Sequence, residues 1–165
     1  MRITDPILAE LEREAQTTRR VLERVPTDKL SYKPHPKSMS LGELAFHVAS
    51  TPGFIAEASK ASPHEMNGNR PPAPDSTKEI LAAFEASVAG AKKTLQETSD
   101  DDALSTWKLT KDGKELFSSP KIGLFRAIML NHTYHHRGQL SVYLRLLDVP
   151  VPSIYGPSAD ENPFV

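Results

Sequence analysis

The sequence of 165 residues contains no cysteine. Disulfide bonds, cysteine nucleophiles and zinc sites built on thiolates are therefore excluded for this chain. Any bound metal would have to be held by histidine, aspartate or glutamate side chains. The positions of the six histidines are consequently the first question that the sequence raises.

Long apolar runs and clusters of positive charge are also absent. No apolar stretch is long enough to cross a bilayer, and residues 1–16 are charged from the start, unlike a signal peptide. A cytoplasmic location is therefore expected. The formal net charge is -1, from 20 basic and 21 acidic residues. Because a nucleic-acid partner requires clustered positive charge, no binding to DNA or RNA is expected, and no membrane partner either.

Length and composition fit one globular domain over residues 1–165. Hydrophobic residues make up 38% of the chain and charged residues 25%, which are proportions typical of globular proteins. A domain of this length can bury a sufficient apolar core without disulfides. We therefore treat the whole chain as one folding unit.

Four segments carry apolar residues at spacings of three and four, the period of one helix face. These segments cover residues 5–25, 40–61, 76–98 and 119–147. Each begins with a pattern typical of helix starts: Asp5-Pro6, Ser40 with Glu43, Ser76 with Glu79, and Ser119-Pro120. Pro52-Gly53 indicates a kink or a break in the second helix near Ser50. The prediction is an all-α four-helix bundle with long connecting loops.

A different pattern occupies the connection between the third and fourth helices. Asp112-Gly113 is a strong turn signal between two short segments of strand-like composition. We predict a short hairpin or an extended excursion there. Trp107, the single tryptophan, is expected to anchor it on the bundle.

Three histidines lie within the five residues HTYHH, at His132, His135 and His136. On a helix, His132 and His136 stand about 40° apart, whereas His135 lies about 60° away on the other side of His132. The first two share the predicted inward face with Phe125, Ile128, Met129 and Tyr143. Such a pair could share a metal ion. The alternative is a pair of hydrogen-bonded core histidines.

His47 lies on the predicted inward face of the second helix, between Leu44 and Thr51. Together with His132 and His136 it would place three imidazoles around one ion. Three protein ligands and one open position are typical of catalytic metal sites. The other two histidines, His35 and His64, lie in proline-rich loops and are interpreted as surface residues.

Two stretches resemble the DinB/YfiT-like family of metalloenzymes, which is distinct from the translesion polymerase that shares the DinB label. They are SLGELAFHVAS around His47 and NHTYHHRGQLSVYLRLLDVPVPSIYG from Asn131 to Gly156. The resemblance covers most of the chain. It implies a four-helix bundle of unusual connectivity, often a homodimer, that holds one divalent ion, zinc or nickel. By position, the family's three metal ligands fall on His47, His132 and His136.

The resemblance also implies a class of reaction. Relatives in the wider superfamily use low-molecular-weight thiols and include thiol S-transferases and a thiol-dependent isomerase. The expectation is a metal-dependent thiol S-transferase acting on a small molecule, with the thiol as cosubstrate. A metal-dependent hydrolase is the alternative. A stress-associated scaffold protein, whose metal only stabilises the bundle, and a DNA-damage effector belong to other classes; the near-neutral charge argues against the latter.

Two further side chains are candidates for catalytic roles. Glu43 lies one turn before His47 and could orient a ligand or act as a general base, although the capping box also explains it. Gln139 lies about 20° from His132 and could hydrogen-bond a ligand histidine or a substrate.

The sequence does not decide the roles of a glycine, the tail and three arginines. Gly138 inside the fourth helix suggests a close helix crossing or room for a ligand. The tail from residue 149 to 165 could wrap the bundle or cover the site. Three arginines of the fourth helix could bind the carboxylates of a thiol cofactor, Arg126, Arg137 and Arg145, but on the helical wheel the first two point away from the histidine face.

Overall fold

Four long helical segments make up most of the chain. The computed structural model describes residues 1–68 and 72–164. Its helices, in chain order, are α1 (Asp5–Leu22), α2 (Leu41–Ala58), α3 (Thr77–Glu97), α4 (Asp100–Leu104), α5 (Lys121–Leu124) and α6 (Thr133–Leu146). A π-helix, Phe125–His132, joins α5 to α6. We call the continuous segment from α5 to α6 the last helix.

Each long helical segment packs against two of the others. Helix α3 lies against α1 and α2, and the last helix lies against the other sides of α1 and α2. Two apolar clusters fill the space between them. One includes Val21, Leu44 and Leu140, and the other includes Leu95 and Phe125. Each large side chain that is fully buried in this way contributes roughly 1.5–3 kcal/mol.

The chain is mostly helical, but it is not all-α. A three-stranded sheet has the order β1 (His64–Glu65), β2 (Thr106–Lys111) and β3 (Lys114–Pro120). The strands β2 and β3 form the predicted hairpin, and its turn uses positive φ angles at Asp112 (51°) and Gly113 (73°). Strand β1 pairs in parallel with β2. Two residues are too few to show a period, so β1 could not be predicted from the sequence.

Trp107 joins the sheet to the helices, as the sequence predicts. Its side chain is 3% exposed and belongs to the same apolar cluster as Phe125. The indole N–H donates a hydrogen bond of 3.0 Å to the carbonyl of Ala58, the last residue of α2. This contact fixes the sheet at the C-terminal end of α2.

The helix starts follow the sequence signals in part. The Ser76 hydroxyl accepts a hydrogen bond from the N–H of Glu79, as expected for the start of α3. The last helix begins at Lys121 instead of Ser119, because Ser119 and Pro120 pair with β2 as the end of β3. The hairpin therefore runs directly into the helix.

Helix α2 continues through Pro52 without a break. The N–H of Gly53 donates to the Ser87 hydroxyl oxygen at 2.7 Å, which ties α2 to α3 at their closest approach. A Cβ atom added at Gly53 would lie 2.8 Å from the Cα of Ser87. Glycine is required here because any side chain would collide with the backbone of α3.

The tail after α6 wraps over α1 and the last helix. Asp160 pairs with Arg145 and accepts the N–H of Val151, and these contacts hold the pKa of Asp160 below its usual value. Glu161 pairs with Arg20 of α1. The tail therefore reinforces the packing of these two helices.

The arginines of the last helix pair with carboxylates of the chain itself. Arg137 is 1% exposed; it lies 2.8 Å from the Glu14 carboxylate and donates to the Tyr155 hydroxyl oxygen at 2.6 Å. Arg126 pairs with Glu10 of α1 at 2.6 Å. The burial of Arg137 agrees with its predicted position away from the histidine face, and Arg145 of α6 pairs with Asp160 of the tail. Breaking a buried ion pair such as that of Arg137 typically costs about 3–5 kcal/mol.

In the part of the chain that the structure describes, no helix has both the length and the apolar character needed to span a bilayer.

We predict that Gly53→Ala destabilises the protein by about 1–3 kcal/mol, because the added methyl group overpacks the contact with Ser87. Gly90→Ala is the matched control. It lies in α3, where an added Cβ would meet nothing within 4 Å, so the higher helix propensity of alanine should stabilise by up to about 1 kcal/mol. Chemical denaturation measures both. Equal effects of the two substitutions would contradict the close approach.

Candidate metal centre

Helix α2 and the last helix bring three histidines together. His47 comes from α2, His132 ends the π-helix, and His136 lies in the first turn of α6. The Nε2 atom of His132 lies 3.0 Å from Nε2 of His47 and 3.1 Å from Nε2 of His136. Each histidine offers one ligand atom, and these atoms lie within 4.8 Å of one another. We call these three residues the histidine cluster.

The spacing of the cluster fits a shared ion. Two nitrogens bound to one ion at about 2.0–2.1 Å stand roughly 2.8–3.4 Å apart for angles between about 90° and 110°. The observed separations of 3.0 and 3.1 Å fall in this range. All three rings are half-buried, so the cluster lies at the surface seam between α2 and the last helix. An ion there would keep one side open to small molecules.

One proton cannot be shared by all three rings of the cluster. The Nδ1 atom of His136 lies 2.7 Å from the Gln139 amide oxygen, so Nδ1 carries the proton and Nε2 of the neutral ring presents a lone pair. A single N–H on Nε2 of His132 can point at His136 or at His47, but not at both. A cation between the three Nε2 atoms, in contrast, would be shared by all of them.

Gln139 connects the cluster to His135. Its amide oxygen accepts from Nδ1 of His136, and its amide nitrogen donates to Nε2 of His135 at 3.1 Å. This bridge fixes the tautomer of His136 and aims its Nε2 atom into the cluster, the usual support for a metal-binding imidazole. His135 itself stays outside the cluster, on the exposed side of the helix.

The surroundings of the cluster favour neutral imidazoles. Burial, with a smaller effect of His136 and His135, lowers the pKa of His132 below its usual value. Burial also lowers the pKa of His136, although the hydrogen bond to Gln139 opposes this shift. Neutral rings are the form that binds metal ions.

The π-helix determines which residues of the last helix face the core before His132. The Thr133 hydroxyl donates to the carbonyl of Met129 at 2.8 Å, where the hydrogen-bond pattern changes back to that of an α-helix. An α-helical wheel therefore does not apply before His132, and Ile128 is half-buried whereas Phe125 and Met129 are fully buried. No proline or glycine in this segment signals a π-helix, although such turns are frequent at functional sites.

Glu43 is held at the start of α2. Its carboxylate accepts the N–H of Ser40 at 2.6 Å, and the Ser40 hydroxyl accepts the N–H of Glu43 at 3.2 Å, which completes the predicted capping box. The bond to Ser40, with a smaller effect of Lys33 at 3.6 Å, lowers the pKa of Glu43. These contacts favour the capping role, because a carboxylate with a lowered pKa is a weaker base.

The two loop histidines differ. His35 is exposed, as expected. His64 is half-buried on β1 and stacks on Trp107, with ring centroids 6.1 Å apart and an angle of 24° between the rings. His64 is therefore only partly exposed. The proline-rich loop does not indicate the two-residue strand that carries it.

The fold and the histidine cluster together define a mostly helical protein with a candidate metal centre. Residues 1–162 match the model of the DinB family. The chain belongs to the DinB family.

Individual relatives agree with this assignment. The uncharacterized protein YrdA of Bacillus subtilis is 24% identical over 157 residues, which cover 95% of this chain and 90% of YrdA. The crystal structure of a DinB-like protein from Bacillus cereus superimposes with a TM-score of 0.73 at 24% identity, covering 90% of this chain and 95% of the other. The DinB-like protein YjoA of Bacillus subtilis gives a TM-score of 0.68 at 21% identity, covering 87% and 93%. These similarities establish the fold.

We predict that Gln139→Leu changes the tautomer of His136, because Nδ1–H loses its acceptor. Ring nitrogen NMR shifts of the metal-free protein measure this: wild type should hold its proton on Nδ1, and the variant should shift toward Nε2–H. Loss of a hydrogen bond that orients a metal-binding histidine typically lowers metal affinity by about 10–100-fold. Nickel or zinc binding should therefore weaken by a similar factor in Gln139→Leu.

Gln16→Leu, an exposed glutamine of α1, is the control and should change neither quantity. The same tautomer of His136 in wild type and Gln139→Leu would show that the bridge does not orient the ring.

Proposed function

We propose that this chain is a metal-dependent enzyme whose single divalent ion, zinc or nickel, is bound by His47, His132 and His136. The convergence of their three Nε2 atoms at a half-buried surface seam is the observation that carries the proposal. Three imidazole ligands leave a position for water or substrate, as in catalytic metal sites. Imidazole suits both metals.

The chain's own residues prepare this site. Burial lowers the pKa of His132, which favours its neutral form, and Gln139 holds the tautomer of His136. The contact of Gly53 with Ser87 holds the helix that carries His47. A bound divalent ion would act as a Lewis acid and lower the pKa of a thiol or a water molecule at the open position.

Thiol S-transfer is the reaction we place first, on the basis of the family resemblance. In this reaction a low-molecular-weight thiol gives up its proton to solvent, and a sulfur electron pair forms a bond to an electrophilic carbon of the substrate. The leaving group departs with the electrons of the bond that breaks. The chain supplies a site open on one side, where thiol and electrophile can meet.

Hydrolysis is the second candidate, because a half-buried cluster admits water as readily as a thiol. A purely structural ion is the third. The two apolar clusters and the buried pair of Arg137 with Glu14 stabilise the fold independently of the histidines. We therefore expect the fold to survive removal of the ion, which favours a catalytic role. A cytoplasmic location remains part of the proposal.

We predict about one ion per chain in wild type after loading with zinc or nickel, measured by elemental analysis. His47→Ala, His132→Ala and His136→Ala should each lose it, because each removes one of three ligands. His135→Ala is the matched control and should keep it, since His135 lies outside the cluster. Retention of the ion by all three cluster variants would exclude this site.

Activity assays then separate the candidate reactions. The metal-loaded protein should accelerate the substitution of chloride in 1-chloro-2,4-dinitrobenzene by the sulfur of cysteine or glutathione, with release of chloride, and His136→Ala should not. Cleavage of p-nitrophenyl acetate without thiol turnover would indicate the hydrolase instead. No turnover, together with a large fall in Tm on metal removal, would indicate a structural ion and overturn the enzyme proposal.

We also propose a homodimer that forms through α6. Val142 and Leu146 are 57% and 55% exposed on this helix, which is unusual for large apolar side chains one turn apart. Gly138 lies one turn before Val142, and a Cβ there would meet nothing within 4 Å. A close crossing within the described part of one chain therefore does not explain this glycine, but a second copy would.

Leu146→Glu should convert the dimer to a monomer in sedimentation experiments, because it places a charge in the apolar contact. Leu104→Glu is the control, since Leu104 is similarly exposed on α4. A wild-type chain that sediments as a monomer at high concentration would contradict the dimer.

A further inference from the structure

A large aromatic side chain is exposed beside the histidine cluster. Phe54 is 61% exposed, although it belongs to a helix whose other large apolar residues are mostly buried. It lies seven residues after His47. Seven residues correspond to about 10.5 Å along an α-helix and to a rotation of only about 20°. Phe54 and His47 therefore share one face of α2.

Two further rings hold Phe54 in place. His64 meets it edge to face, with ring centroids 6.3 Å apart and an angle of 86°. His64 in turn stacks on Trp107, whose N–H is bonded to the carbonyl of Ala58. Pairing of β1 with β2 positions His64. We call Phe54, His64 and Trp107 the aromatic wall.

The side chain between His47 and Phe54 on α2 is small. Ser50 lies between them in sequence, and its hydroxyl donates to the carbonyl of Phe46 of the same helix at 2.8 Å, so it is turned back onto the helix. Ile128, four residues before His132 in the π-helix, is half-buried and packs against the apolar cluster that contains Trp107. A ligand at the histidine cluster can therefore extend along α2 past a small side chain toward Phe54.

We propose that the aromatic wall binds the apolar end of the small molecule whose reactive group lies at the histidine cluster. The distance between them selects thiols or electrophiles that carry an aryl or branched alkyl group about four to six bonds from the reacting atom. Phe54 determines this preference, because it is the most exposed ring of the wall. The inference rests on the proposed function, since the histidine cluster holds the reactive end.

A small ligand fits this surface better than another protein. A stable protein–protein contact buries about 800 Å² on each partner, whereas an aromatic side chain offers about 150–250 Å². The wall presents one strongly exposed ring beside a polar cluster. This matches a small-molecule site, in which an apolar surface adjoins a few convergent polar groups.

The test compares two thiols that differ in the aryl group. Nickel-loaded protein is titrated with 4-phenylbutane-1-thiol and with butane-1-thiol, and thiolate-to-nickel absorption and the fluorescence of Trp107, the single tryptophan, are recorded. The aryl thiol should bind about tenfold more tightly, because its ring is buried against Phe54. In Phe54→Ala this preference should fall to about one, with the nickel content unchanged.

Phe164→Ala is the matched control: Phe164 is 76% exposed on the tail, and its removal should keep the preference. Equal affinity of wild type for the two thiols would overturn the proposal, as would an unchanged preference in Phe54→Ala. If Phe54→Ala keeps the preference for the aryl thiol but sediments differently from wild type, Phe54 is an assembly contact. That result would also overturn the proposal.

A second titration separates this inference from the proposed function. Metal-free protein is titrated with 4-phenylbutan-1-ol and followed by Trp107 fluorescence. Saturable binding that Phe54→Ala abolishes would support the wall even if the histidine cluster binds no metal. No response of wild type to the alcohol or to either thiol, in a protein that binds one nickel ion at the cluster, would overturn the wall and leave the metal centre intact.

Discussion

The packing of α2 against the last helix is the constraint on which the fold and the candidate site both depend, because it brings His47 to His132 and His136 across one helix seam. The three imidazole nitrogens lie within 4.8 Å of one another. Their meeting requires a fixed packing of α2 against the last helix, and Leu44 of α2 and Leu140 of α6 belong to the same apolar cluster. The capping box of Ser40 defines the start of α2, and the bond from Trp107 to Ala58 ties its end to the sheet.

The last helix is fixed on its opposite side. Arg137 follows His136 directly but points into the protein, where it pairs with Glu14 of α1 and binds Tyr155 of the tail. Two adjacent residues of α6 therefore lie on different sides of the helix. His136 faces the seam with α2, and Arg137 holds α6 against α1. Such a buried ion pair is costly to desolvate, but it leaves little freedom in how α1 and the last helix pack.

The sequence predicts the helical segments and the hairpin, because these depend on local period and turn chemistry. The cluster partners His47, His132 and His136 are expected from the inward faces of two helices and from the family resemblance. The capping box of Ser40 and the turn at Asp112 follow from residue type alone. The π-helix, strand β1 and the ion pair of Arg137 could not be predicted in this way, because each depends on contacts between segments distant in sequence. The aromatic wall depends on β1, so it also escaped sequence reasoning.

The central claim is that three nitrogens of the seam bind one ion. Crystals of nickel-loaded protein, measured on both sides of the nickel absorption edge, test it most directly. The account predicts one anomalous difference peak about 2.0–2.1 Å from the Nε2 atoms of His47, His132 and His136. A peak elsewhere in the molecule, or none in protein shown to contain nickel, would contradict it.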